Sequence, residues 1–203
     1  MEMTYESMML FAETWIAAWN RRDIDAVLAH FADEAEFVSP AEEATLLASV
    51  PELAFKPFEF HGWTGNRETV SYGWRYDFNQ ARVERAPPIP EFLLPLRDRA
   101  ADFAGLEPTA FEQALVVRYD VGAGIGWHRD RPVFDRVFGL SLLSPCVLRF
   151  RRRRGAGFDR FSLDAPPRSA YLLTGEIRHE WEHSISPMQV KRFSITFRSR
   201  HDT

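Results

Sequence analysis

A chain of 203 residues, 45% of them hydrophobic, is long enough for one well-buried core. It holds no uninterrupted apolar run of the roughly 18 residues that a membrane-spanning helix needs. One cysteine excludes an intrachain disulfide and a zinc site built on cysteines, and a formal net charge of −4 excludes coating nucleic acid through bulk charge.

The N-terminus has neither a basic start nor a small-residue cleavage site, so the expectation is a soluble, cytoplasmic protein with no membrane partner. From Tyr5 to about Phe31 the pattern is helical: Phe11, Trp15, Ala18 and Trp19 recur at helical spacing, and Ile24, Val27, Leu28 and Phe31 continue it behind Asp23, a candidate N-cap. Ser39-Pro40-Ala41-Glu42-Glu43 predicts a further helix start, with Leu46, Leu47 and Val50 as its apolar face. From Phe55 to Phe78, aromatic residues interleave with glycine and polar residues, as in strands joined by turns. After Pro87-Pro88-Ile89-Pro90, the residues Phe92, Leu93, Leu96, Ala100 and Phe103 mark an amphipathic helix capped by Gly105.

Beyond that helix the chain reads as strands, over Ala114–Tyr119, Gly139–Phe150, Phe158–Leu163, Ala170–Thr174, Glu182–Ile185 and Arg192–Arg198. Cys146 falls inside the second of these and reads as core. Helices followed by strands, without βαβ alternation, predict a mainly β (α+β) fold: a jelly-roll core with flanking helices.

The chemistry collects in three places. His128-Arg129-Asp130 puts an imidazole and a carboxylate two residues apart, on one face of a strand. With a second histidine from a later strand they form two imidazoles and a carboxylate, a set that suits non-haem Fe(II) and also accepts zinc. His179 and His183 compete for that third place, and spacing alone does not choose. Gly122, Gly124 and Gly126 precede the pair and permit close backbone approach. In Arg192–Arg198, Arg192, Ser194, Thr196 and Arg198 alternate with Phe193, Ile195 and Phe197. Either a bound dicarboxylate faces that polar side, through an arginine fork, or the strand is an edge with its arginines in solvent.

Taken together, Tyr119-Asp-Val-Gly-Ala-Gly-Ile-Gly-Trp-His128-Arg-Asp130, Trp181-Glu-His183-Ser-Ile and Arg192-Phe-Ser-Ile-Thr-Phe-Arg198 resemble the signature of the AlkB family of Fe(II)- and 2-oxoglutarate-dependent oxygenases. The resemblance implies a double-stranded β-helix in which His128, Asp130 and His183 bind Fe(II), His183 being preferred to His179 by its Trp-x-His-Ser-Ile context. It further implies that Arg192 pairs with the distal carboxylate of 2-oxoglutarate, that Tyr119 hydrogen-bonds this co-substrate, with Ser194 beside it, and that Arg198 lies near the iron-bound carboxylate. With O2, oxidative decarboxylation would yield succinate and CO2 and hydroxylate a C–H bond; a hydroxylated methyl group then leaves as formaldehyde. Trp63, Arg67, Tyr76 and Phe78 fall in the substrate-lid region, where family members that act on alkylated DNA or RNA stack a flipped base.

Two departures from the family pattern stand out, the first at the substrate and the second at the co-substrate site. Arg131 and Pro132 follow the His-x-Asp pair where some members carry a base-reading acidic residue, and Val117 replaces an asparagine that some members place two residues before the tyrosine. The first 36 residues, with Trp15-Ile-Ala-Ala-Trp19 and His30-Phe31, are similar to the opening helices of the SnoaL-like (nuclear-transport-factor-like) cone fold. The expected organisation is a helical extension over 1–36 and an AlkB-like dioxygenase domain over 37–203. Nucleobase dealkylation, as in DNA repair, is the favoured function. The same chemistry on a protein or small molecule, and a non-catalytic binding module, are the alternatives.

Overall fold

The computed structural model describes residues 36–201 apart from His61 and Asn79, with the side chains of Phe60 and Trp63 also left aside. The helices expected before Phe31, and the cone-like resemblance built on them, lie outside the described residues.

The first helix, α1 (Pro40–Ser49), starts where its capping signal stands. Ser39 Oγ accepts from the Glu42 N–H at 3.3 Å, and Glu42 Oε2 accepts from the Ser39 N–H at 2.7 Å. Leu46 and Val50 point into the core. The helix α2 (Leu94–Ala104) buries Leu96, Ala100, Ala101 and Ala104, and ends at Gly105, whose left-handed φ of 64° lets its N–H reach back to the last turn.

The strands are β1 (Lys56–Phe60), β2 (Trp63–Tyr72), β3 (Trp74–Asp77), β4 (Arg82–Arg85), β5 (Phe111–Tyr119), β6 (Ile125–His128), β7 (Phe134–Leu142), β8 (Cys146–Arg154), β9 (Gly157–Ala165), β10 (Ala170–Leu173), β11 (Glu182–Ile185) and β12 (Arg192–Arg200), with a short helix α3 (Gly175–His179) before β11. They form a six-stranded sheet ordered β1-β2-β5-β12-β7-β10, a four-stranded sheet ordered β6-β11-β8-β9, and the β3–β4 hairpin. All pairings are antiparallel, and the two large sheets make the jelly-roll core. One apolar cluster joins α1 and α2 to the six-stranded sheet through Val116, Phe138, Leu140, Ile195 and Phe197. A second joins the two sheets through Val117, Tyr119, Leu148, Phe150, Leu163 and Trp181. No helix among the described residues is long and apolar enough to cross a membrane.

The single strand expected over Gly139–Phe150 is two strands in different sheets. Leu143 takes a φ of 72° and Pro145 has no N–H to give, so the ladder stops and the chain crosses from β7 to β8. The corner is tied down by buried Glu43 of α1, which accepts from the Leu143 N–H at 2.8 Å and pairs with Arg168 at 3.1 Å. The apolar run hid the corner because the second half of β7 is buried on both faces, which erases the two-residue period.

The position of β12 rules out the edge strand that its alternation left open. It lies between β5 and β7, and both of its faces are buried. Phe193, Ile195 and Phe197 join the cluster under the helices. Arg192, Ser194 and Thr196 sit opposite Tyr119, Val117 and Leu115 of β5, the residues that face the other sheet. The polar face therefore points into the barrel rather than into solvent.

Candidate active site

The antiparallel ladder of β6 and β11 places His128 directly across from His183, with ring centroids 4.2 Å apart. Asp130 lies two residues past the end of β6, and its Oδ2 is 3.8 Å from His183 Nε2. Gly124 makes this approach possible: a Cβ there would stand 2.8 Å from the Ile185 carbonyl oxygen and 3.0 Å from the Pro187 nitrogen. His179 does not share a face with His183. It ends α3, on the far side of the turn into β11, and its neighbours are Asp135 and His201.

Asp130 is divided between two tasks. Its Oδ1 accepts from Arg198 Nε at 3.2 Å and lies 3.0 Å from Arg198 Nη2, whereas Oδ2 is buried with no hydrogen-bond partner among the described residues. Arg198 is itself held by Gln113 Oε1 at 3.2 Å, and Gln113 donates to the Trp74 carbonyl at 2.9 Å. Burial opposes ionisation of Asp130, but Arg198, then His183, His128 and Arg178, outweigh it and hold the carboxyl well below its ordinary range. Burial, followed by the neighbouring His128, pushes the His183 imidazole down to about 3, so it is neutral and keeps a lone pair. His128 Nδ1 lies 2.9 Å from the Gly126 carbonyl. A proton on Nδ1 makes that bond and leaves the Nε2 lone pair free. Buried Arg178 donates to the carbonyls of Arg131, at 2.6 Å, and Phe134, bracing the loop that carries Asp130.

Arg192 is fully buried opposite Tyr119. Its Nε and Nη2 reach Ser141 Oγ at 3.3 and 3.1 Å, but Nη1 has no partner and no carboxylate of the described residues pairs with it. Burying a guanidinium without a counter-charge is costly, which an anionic ligand would relieve. Tyr171 lies close by. Gly139 of β7 exists without a side chain because a Cβ there would fall 2.2 Å from the Tyr171 ring. Burial pushes the Tyr171 phenol well up, against the pull of Arg192, so its hydroxyl keeps its proton. Ser194 is buried opposite Ser141, on the same face as Arg192.

Two of the four substrate candidates meet at one lip of this site. Tyr76 and Phe78 pack edge to face at 5.0 Å, and Arg131, next to Asp130, lies over both rings at 4.5 and 4.9 Å. Phe58 joins Phe78 at 5.4 Å, and the Arg67 guanidinium sits 3.6 Å over the Phe58 ring while facing the Gly124 carbonyl at 3.5 Å. The Trp63 side chain is outside the described set. Arg149 and Arg151 to Arg154 make one dense basic cluster on β8, and three of them are paired in place: Arg151 with Glu182, Arg152 with Glu176, Glu180 and Asp159, and Arg154 with Asp159, while Arg149 bonds the neutral Ser184 Oγ.

Sequence reasoning passed over Ser141, Gln113, Tyr171 and Arg178, and took Arg131 only as the loss of an acidic residue. None stands in a motif, and their placement depends on pairing between distant strands. Gly139 within an apolar strand was the one local mark, pointing to a bulky neighbour across the sheet. The assembled atoms suit a particular pair of guests. An unpartnered carboxylate oxygen beside two imidazoles suits a divalent cation with open positions, and an unpartnered buried guanidinium nitrogen suits a carboxylate.

The sequence profile of the 2OG-Fe(II) oxygenase superfamily matches residues 18–198. The chain is 30% identical to the Arabidopsis thaliana alkylated DNA repair protein ALKBH8 homolog over 176 residues, covering 74% of this chain and 49% of that protein. It is 27% identical to the RNA demethylase ALKBH9B of the same plant, covering 70% of this chain and 32% of that protein. The chain thus spans about half the length of the first relative and about a third of the second. The solved structure of OsALKBH1 has a TM-score of 0.65 at 16% identity, covering 81% of this chain and 94% of that one, a likeness of fold. The chain belongs to the 2OG-Fe(II) oxygenase superfamily, whose members are dioxygenases that use Fe(II), 2-oxoglutarate and O2.

Proposed function

We propose that this chain oxidatively dealkylates nucleic-acid bases, with Fe(II) held by His128 Nε2, Asp130 Oδ2 and His183 Nε2. The observation that carries the reading is the pair of buried, unpartnered atoms, Asp130 Oδ2 and Arg192 Nη1, in one barrel interior. Fe(II), with 2-oxoglutarate and O2, supplies the oxidative decarboxylation and the oxidation of a C–H bond.

The chain's own groups do the positioning. Arg192 takes the distal carboxylate of 2-oxoglutarate, with Ser141 fixing the guanidinium and with Tyr119, Tyr171 and Ser194 as flanking polar groups. Arg198 occupies Asp130 Oδ1 and so turns Oδ2 toward the metal. Tyr76 and Phe78 offer aromatic faces to a flipped base, and Arg131 and Arg67 offer positive charge to its phosphates. The partly paired Arg149–Arg154 strand has less charge to give. Hydroxylation of an N-methyl group leaves an unstable hydroxymethyl product, which releases formaldehyde. The names of the ALKBH8 homolog and ALKBH9B, an alkylated DNA repair protein and an RNA demethylase, support nucleic acid as the substrate class.

This reading keeps residues 1–36 as an extension and the dioxygenase domain over 37–203, although the family profile reaches back to residue 18. It keeps the chain in the reducing cytoplasm, in keeping with its single, buried Cys146. The test is formaldehyde release from N-methylated single-stranded RNA and DNA in the presence of Fe(II) and 2-oxoglutarate. Formaldehyde in step with succinate is expected. Succinate without formaldehyde on either nucleic acid would move the chemistry to another substrate.

A further inference from the structure

We propose that Asp135, His179 and His201 form a second divalent metal site, suited to Zn(II), on the surface beside the iron-binding centre and separate from it. The three residues come from the start of β7, the end of α3 and the turn just past β12. One donor atom from each lies within 4.8 Å of the others. His179 Nε2 is 3.4 Å and His201 Nε2 is 3.9 Å from the same Asp135 Oδ1.

Those separations are compared with a direct hydrogen bond and with a shared ion. Histidines that simply hydrogen-bond to a carboxylate stand about 2.7 to 3.2 Å away, and both distances exceed that range. Donor atoms arranged tetrahedrally around zinc, at 2.0 to 2.2 Å each, stand about 3.3 to 3.5 Å apart. The His179–Asp135 separation falls in that range, and the remaining donor atoms lie within 4.8 Å. Its histidine side chains are 40% and 48% exposed, which leaves room for water as a fourth ligand.

The ligand chemistry selects the ion. Two imidazoles and a single carboxylate favour zinc over calcium or magnesium, which take oxygen ligands. Two guanidiniums lie close and oppose any cation, but each is engaged with backbone: Arg178 with the carbonyls of Arg131 and Phe134, and Arg129 with the His179 carbonyl at 3.2 Å. The backbone also presets the site, since the His201 N–H donates to the Val133 carbonyl at 3.1 Å, two residues from Asp135.

The position gives the ion a role. Asp135 follows Asp130 on the same segment, His179 precedes His183 across one turn, and His201 follows Arg198 at the end of β12. A metal here would cross-link the three segments that carry the iron-site residues. It would stabilise the fold without contacting substrate.

The experiment is zinc retention by the untagged full chain after equilibrium dialysis, with the melting temperature measured alongside. Expected are two equivalents for the wild type, one for His179→Ala/His201→Ala, and one for His128→Ala/His183→Ala. In that last background, added Zn(II) should raise the melting temperature, and the exposed substitution His201→Gln should cancel the rise. The proposal is overturned if the His128→Ala/His183→Ala protein retains no zinc, or if its retention is unchanged by His201→Gln.

Discussion

His128 and His183 face one another across the β6–β11 ladder with ring centroids 4.2 Å apart, while His179, four positions earlier than His183, turns away to Asp135. The geometry makes the two candidate histidines separable by substitution. His183→Ala should abolish 2-oxoglutarate turnover, whereas His179→Ala should retain most of it, read as succinate formed under saturating Fe(II). Loss of turnover in the His179 variant alone would exchange the assignments.

Arg192 should govern co-substrate affinity. Its guanidinium has a nitrogen without a partner among the described residues, in a fully buried setting, and removing one member of a buried charge pair costs about 2 to 5 kcal/mol. Arg192→Met should therefore raise the KM for 2-oxoglutarate by roughly 30-fold or more. Affinity for the nucleic acid, measured separately by equilibrium binding, should change little.

Gly139 and Tyr171 should behave as a coupled pair. The Cβ of Gly139→Ala would fall 2.2 Å from the Tyr171 ring, so this substitution should destabilise the fold by about 1 to 3 kcal/mol. In a double-mutant cycle by urea unfolding, Tyr171→Ala should remove most of that penalty. Additive effects would mean that the ring does not occupy the space over Gly139.

Acid should weaken the metal-free protein through His183. Its folded value of about 3 lies below the ordinary 6.5, so as pH falls below 6.5 the unfolded chain gains a proton that the folded one refuses. Stability is greatest above pH 6.5 and declines between there and about 3, by up to about 1.4 kcal/mol per pH unit. Asp130 is also lowered and adds to the loss below its ordinary 3.8, so the two titrate as a pair. Urea midpoints measured at pH 7 and pH 4.5 should differ less in His183→Gln than in the wild type.

The sequence disclosed what local chemistry can mark. The Ser39 capping box, the Gly105 stop and the alternation of β12 appear in the fold where their residues stand. His128, Asp130 and His183 converge, as does the polar face bearing Arg192. What stayed hidden depends on contacts between distant segments. The β7–β8 corner vanished inside a doubly buried apolar run. Arg131, which looked like the mere loss of an acidic residue, packs over Tyr76 and Phe78, and Arg151, Arg152 and Arg154 are paired with acids brought in from α3, β9 and β11.

The proposed activity needs a metal and a co-substrate to share the site formed by His128, Asp130, His183 and Arg192. Anaerobic titration of Fe(II) into the full chain with 2-oxoglutarate, watched for the metal-to-ligand charge-transfer absorption, tests that most directly. A saturable band that requires both additions, disappears in His183→Ala and persists in His179→Ala is the predicted result. A well-folded wild-type protein that shows no band, or a band unaffected by His183→Ala, would contradict it.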